Sequence, residues 1–183
     1  MRQCGRFGWA GLVVLLAAGC APAGPRMRQG MPADLMDAEH INAPSVQSLD
    51  GFSQAVRVGT SLYVSDQVAL DSAGAVVGGD DLRLQLGQSL RNLSAVLTAS
   101  RALPADIVHM TVYVVGYQPA DYATVRDAIT GFMPAGHPPA LTLVGVSALP
   151  APGLKVAIDA VAHVRGMFID RERLPGGALS PDR

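Results

Sequence analysis

Five leucines, Leu82, Leu86, Leu90, Leu93 and Leu97, recur at spacings of four, four, three and four, and this period constrains the fold more than any other feature. Residues three and four apart share one side of a helix, so the spacing predicts a helix over 82–100 whose leucine side is core. Asp80 and Asp81 stand just before it, where an acidic N-cap meets the orphan N–H groups and the positive end of the helix dipole. An apolar helical stripe must be buried against another element, and the chain supplies strands on both sides.

Residues 52–58 and 62–65 read as antiparallel strands joined by the tight turn Gly59-Thr60-Ser61. Ile107-Val108-His109-Met110-Thr111-Val112-Tyr113-Val114-Val115 is rich in β-branched residues and predicts a long strand after Pro104. Pro119 suits the first turn of a second helix, with Val125, Ile129 and Phe132 on its buried side and Pro134 to Pro139 ending it. Strands over 140–147 and 154–164 follow, joined by Pro150-Ala151-Pro152-Gly153. The order is strand, strand, helix, strand, helix, strand, strand, an α+β pattern. With 183 residues, 49% of them apolar, the chain is long enough to bury one substantial core.

The first residues have a different character. Arg2 and Arg6 form a basic start, Trp9 to Ala18 is an almost unbroken apolar run, and Ala17-Ala18-Gly19-Cys20 closes it with small residues and a cysteine. The run is shorter than the ~20 apolar residues a bilayer span needs, so 1–19 reads as a signal segment. It resembles a bacterial lipoprotein signal, in which Cys20 becomes the acylated first residue of the mature chain. The other reading is ordinary cleavage after Ala21-Pro22-Ala23. Lipidation implies an exported protein held to the outer membrane on its periplasmic side, since Ala21 is not the aspartate that favours inner-membrane retention. Residues 20–50, with prolines at 22, 25, 32 and 44 and no sustained period, read as a tether and lead-in. The folded domain is expected over 51–164, followed by a polar tail over 165–183.

Charge and spacing narrow the function. Fourteen basic and fifteen acidic residues give a formal charge of −1, and Lys155 is the only lysine. No clustered basic surface suits nucleic acid. His40, His109, His137 and His163 are far apart and lack acid or cysteine partners at metal-ligand spacing, so no metal is expected. Neither a Gly-rich phosphate loop nor a Gly-x-Ser-x-Gly elbow is present, Ser53 and Ser65 have no evident base, and no cofactor is implied.

Several motifs in order carry a resemblance. Gly51-Phe52-Ser53-Gln54-Ala55-Val56, Val64-Ser65-Asp66-Gln67, Thr111-Val112-Tyr113-Val114, Asp121-Tyr122-Ala123-Thr124-Val125 and Val156-Ala157-Ile158-Asp159-Ala160-Val161-Ala162 together resemble the RidA/YjgF family of enamine and imine deaminases. The resemblance implies a chorismate-mutase-like α+β subunit, a mixed sheet with two helices on one face. It also implies a homotrimer with small-molecule pockets in the clefts between subunits. The family chemistry is hydrolysis of 2-imino or enamine acids to 2-oxo acids and ammonia.

The site motif departs from that family at its charged position. Pro138-Pro139-Ala140-Leu141-Thr142-Leu143 stands where the family has Pro-Ala-Arg-(Ser/Thr), so Leu141 replaces the arginine whose planar fork holds a substrate carboxylate. The resemblance places Phe52, Asp66, Arg126, Leu141, Leu143 and Asp159 in the ligand pocket, with Asp159 and Arg126 as the candidate catalytic residues. Asp66 replaces a glycine: it is either a carboxylate in the pocket wall or an exposed residue capping a strand end. Phe52 replaces a tyrosine, keeping the ring for packing. Asp159 matches the family's glutamate on the last strand, or else makes backbone and ion-pair contacts. Arg126 either substitutes for the lost arginine, pairs with Asp66 or Asp159, or is a solvated surface residue.

Overall fold

The computed structural model describes residues 37–164. The expected signal segment, Cys20, most of the tether and the tail lie outside the described residues. Two strands, β2 (Ala55–Val58) and β3 (Ser61–Val68), form the expected hairpin. Gly59 takes φ of +60° at its turn, a left-handed conformation that glycine enters without a Cβ clash. The leucine period becomes α1 (Leu82–Ala99), started by the Asp81 carboxylate accepting from the Leu84 N–H at 3.1 Å. β4 (Ile107–Val115) follows, then α2 (Tyr122–Phe132), β5 (Ala140–Val146) and β6 (Val156–His163). Pro119 opens a short 3-10 turn that runs into α2, rather than the α-helix itself.

The lead-in is the main difference from the sequence expectation. Ala38–Ile41 is a strand, β1, paired antiparallel with β2, so the fold begins well before Gly51. Four residues on a sheet edge are too few to show a period, which is why the segment reads as linker. Gln54 ties down the rest of it. This side chain, 4% exposed, accepts from the Ala43 N–H at 2.7 Å and donates to the Val46 carbonyl at 2.8 Å and the Ser48 hydroxyl at 3.0 Å.

The six-stranded sheet has the order β1-β2-β3-β6-β4-β5. Only β4 and β5 are parallel; every other pair is antiparallel, so the sheet is mixed. Parallel neighbours need a crossover, and α2 supplies it between β4 and β5. In the same way α1 carries the chain from β3 to β4, leaving a slot that the last strand, β6, fills.

Both helices cover one side of this sheet. Leu86, Leu90, Leu93, Val96 and Leu97 of α1 and Val125 and Ile129 of α2 pack on Leu62, Val64, Met110, Val112, Val156 and Ile158. Truncating one such leucine to alanine typically costs about 2–5 kcal/mol. Beside the leucines, α1 also buries Gln85, Ser89 and Asn92, and two of these hold loops. Gln85 donates to the carbonyls of Gly79 at 2.5 Å and Gly153 at 2.7 Å and accepts from the Lys155 N–H at 2.8 Å. Asn92 donates to the carbonyls of Val68 and Leu70 at 2.8 and 2.9 Å. Among the described residues, the side of the sheet away from the helices is covered at one end, by a small cluster of Val68, Ala69, Leu70, Leu154 and Ala157.

Candidate functional site

Strand alternation directs Tyr63, Ser65, His109, Thr111, Tyr113 and Asp159 away from the helices, onto the open side of the sheet. Asp159 is held at both oxygens: the Thr111 N–H donates to Oδ1 at 3.2 Å and the Tyr113 hydroxyl to Oδ2 at 3.0 Å. The hydrogen bond to Asp159, helped by desolvation and the nearby negative charge, raises the Tyr113 pKa above its ordinary 10.0.

A β-bulge brings a second carboxylate to the same place. Val64 pairs with Ala160 and Gln67 with Ile158, so Ser65 and Asp66 both stand opposite Asp159, two residues against one. Asp66 therefore lies inside β3 and not at its end. Although its side chain reaches solvent, desolvation by the surrounding protein, and then repulsion from Asp159, raise its pKa above the ordinary 3.8. With Tyr63, Ser65, His109 and Thr111, the two aspartates line an open cleft of about 550 Å³.

Ser65 and Asp66 also belong to a second cleft, of about 560 Å³. Its wall is apolar, formed by Val46, Leu49, Phe52, Val56, Val68 and Leu70, with Gln54, Gln67 and Asn92 among its polar groups. Phe52 is 72% exposed, so its ring is not packed away among the described residues. His40 also reaches this cleft, with Nδ1 2.9 Å from the Ser53 hydroxyl oxygen.

The remaining expected residues lie on the other side. Leu141 is registered with Met110 and Leu143 with Val112, both core positions, so β5 turns these leucines toward the helices. Leu143 packs on the core. Leu141, 40% exposed, lines a third cavity of about 460 Å³ with Arg126, Ile129, Met133, Pro134 and Pro139. The Arg126 guanidinium is 55% exposed and bonded to its neighbour Asp127, through Nε at 3.0 Å and Nη2 at 2.8 Å. Asp66 and Asp159 are not its partners. The Asp127 hydrogen bond, and then the Asp127 charge, raise the Arg126 pKa further.

One subunit thus brings together Phe52, Asp66 and Asp159, and separately Arg126, Leu141 and Leu143. Sequence reasoning missed Tyr113, Thr111 and His109 as neighbours of Asp159. Their spacing of two along β4 was the available signal, but it acquires meaning only once β4 is known to pair with β6. Among the described residues no three His, Cys, Asp or Glu side chains are grouped so as to hold a metal ion, and no helix is long and apolar enough to cross a membrane.

A mixed sheet with two helices on one side, and a carboxylate from the last strand on the other, defines the chorismate-mutase-like α+β subunit of the Rid type. The family model described as "Endoribonuclease L-PSP" matches residues 41–164, and the chain belongs to this family, the RidA/YjgF family. The chain is 36% identical over 118 residues to protein DfrA of Myxococcus xanthus, covering 63% of this chain and 87% of that one. It is equally 36% identical, over 119 residues, to the 2-iminobutanoate/2-iminopropanoate deaminase of Mus musculus, with 64% and 84% covered. Among solved structures, the Rid-family protein YyfA of Yersinia pestis, itself described as of unknown function, superposes with a TM-score of 0.64 at 28% identity, over 70% of this chain and all of that one.

Proposed function

We propose that this protein is an envelope-anchored Rid-type homotrimer that binds a small organic molecule in clefts between subunits, and that it is not an ordinary 2-imino acid deaminase. The observation that carries this reading is Leu141. A 2-imino acid brings a carboxylate that needs a cation, and this position offers a half-exposed leucine instead. Losing one partner of a buried, hydrogen-bonded charge pair typically costs about 2–5 kcal/mol. Arg126, the cation beside Leu141, is already paired with Asp127. The trimer is supported by the split of the expected pocket: Leu141 and Asp159 lie on opposite sides of one sheet, so acting on one ligand requires two subunits. Export and anchoring at Cys20 rest on the signal-like residues 1–19. The charge of −1 does not favour an RNA substrate.

The test is turnover of freshly generated 2-iminobutanoate by the purified chain and by Leu141→Arg. The wild type is expected to be slow, with the variant binding the substrate at least tenfold more tightly. Turnover by the wild type equal to that of arginine-containing relatives would overturn the reading. Cys20→Ser is expected to leave the membrane fraction and to take up no labelled fatty acid.

Hydrolytic deamination of a different substrate is the alternative that one observation favours: both Asp159 oxygens are held in place, as a group that orients water would be. Asp159→Asn should then abolish ammonia release. A purely structural or partner-binding trimer would show no thermal stabilisation by any small ligand.

A further inference from the structure

Two clefts meet at Ser65 and Asp66, which line both. One arm is apolar and carries the exposed Phe52 ring; the other ends at Asp159. Each arm lies within the ~300–1,000 Å³ usual for small-molecule sites. Among the described residues, no lysine or arginine lines either arm. The two histidines that reach them bond hydroxyls and not the aspartates, His40 Nδ1 with Ser53 at 2.9 Å and His109 Nε2 with Thr142 at 3.3 Å. The carboxylates of Asp66 and Asp159 therefore repel one another without a cation from the cleft walls between them.

From this arrangement we infer that the joined cleft takes an amphipathic amine, a primary ammonium or iminium cation carrying an aryl or branched-alkyl tail. The inference rests on the reading of these clefts as a small-molecule site and adds the ligand's chemistry. The cationic head sits at the bulge, where it hydrogen-bonds Asp66 and Asp159 and relieves their repulsion. The tail lies along Phe52, Leu49 and Val56, away from water. A carboxylate-bearing molecule of the same shape is rejected by the charges that hold the amine. Desolvation, and then the repulsion from Asp159, raises the pKa of Asp66, and affinity falls when acid protonates that group.

The experiment is titration of the full chain, purified in detergent, with three probes of like shape: 2-phenylethylamine, the neutral 2-phenylethanol and the anion 3-phenylpropanoate. Calorimetry and thermal unfolding are the readouts. The amine is expected to bind at least about tenfold more tightly than the alcohol, a difference near 1.4 kcal/mol, and the anion to give no shift. Asp66→Asn is expected to lose that tenfold for the amine while leaving the alcohol unchanged, and Phe52→Ala to weaken both. Asp159→Asn gives an independent second variant, and circular dichroism checks that each folds. Equal binding of amine and alcohol would overturn the cation assignment and leave the small-molecule reading standing. Tightest binding of the anion would overturn both it and the significance given to Leu141. Binding of no probe, or full amine affinity in both aspartate variants, would overturn the inference, while the 2-iminobutanoate assay judges the broader reading separately.

Discussion

Tyr113, Asp159 and Asp66 form a small electrostatic unit whose behaviour follows from their contacts. The Tyr113 hydroxyl donates to a carboxylate, and a tyrosinate there would face negative charge. Of the four tyrosines in the chain, Tyr113 is therefore expected to ionise late in an ultraviolet titration, and Tyr113→Phe to remove that late step. Asp66 is shifted in the same direction, and its shift bears on stability in acid. Its folded pKa lies above its ordinary 3.8, so in that window the folded state holds a proton that the unfolded state has released. Stability then falls as pH rises through the window, and above it the ionised Asp66 opposes folding. Asp66→Asn is expected to melt higher than the wild type at neutral pH, with the gap closing below the ordinary aspartate pKa. A wider gap in acid would contradict the assignment. Neither effect was legible in the sequence: Asp66, Tyr113 and Asp159 are far apart along the chain, and a one-residue bulge sets which way Asp66 points.

At the scale of elements, α1 shows what periodicity reveals and what it hides. The leucines declared its buried side, because apolar residues at helical spacing have one common destination. The same helix buries Gln85 and Asn92, which pattern alone assigns to solvent. Gln85 is 0% exposed and serves the backbone of the turn just before its own helix and of one loop remote in sequence. Gln85→Leu keeps the volume but leaves the Lys155 N–H and the Gly79 and Gly153 carbonyls without this partner. These groups are only part-buried, and a net hydrogen bond is worth about 0.5–1.5 kcal/mol, so a loss of about 1–3 kcal/mol is expected in the free energy of unfolding measured by denaturant titration. A change within about 0.5 kcal/mol, the range of ordinary surface substitutions, would show that water replaces the amide. β1 is the complementary case. It lacks an apolar alternation of its own and is a strand because β2 offers it an edge and Gln54 anchors the chain that follows it.

At the scale of the whole fold, among the described residues, the helices cover one side of the sheet and leave much of the other uncovered, with Tyr63 53% exposed on it. If Leu141 and Asp159 serve one ligand, copies of the subunit must meet so that the Leu141 side of one approaches the Asp159 side of another. Sedimentation of the detergent-solubilised chain is expected to give three times the chain mass; a monomer at micromolar concentration would remove the shared pocket. By itself the sequence determined the order of the main elements, the buried side of α1, the family and the absence of arginine at position 141. These are local properties, carried by periods of two and four residues or by the chemistry of one position. The tertiary structure alone decided that β1 exists, that Asp66 stands opposite Asp159, and that Leu141 and Arg126 lie on the other side of the sheet from both. Each of those depends on strand register and pairing across distant segments, where one residue of slip reverses every side chain.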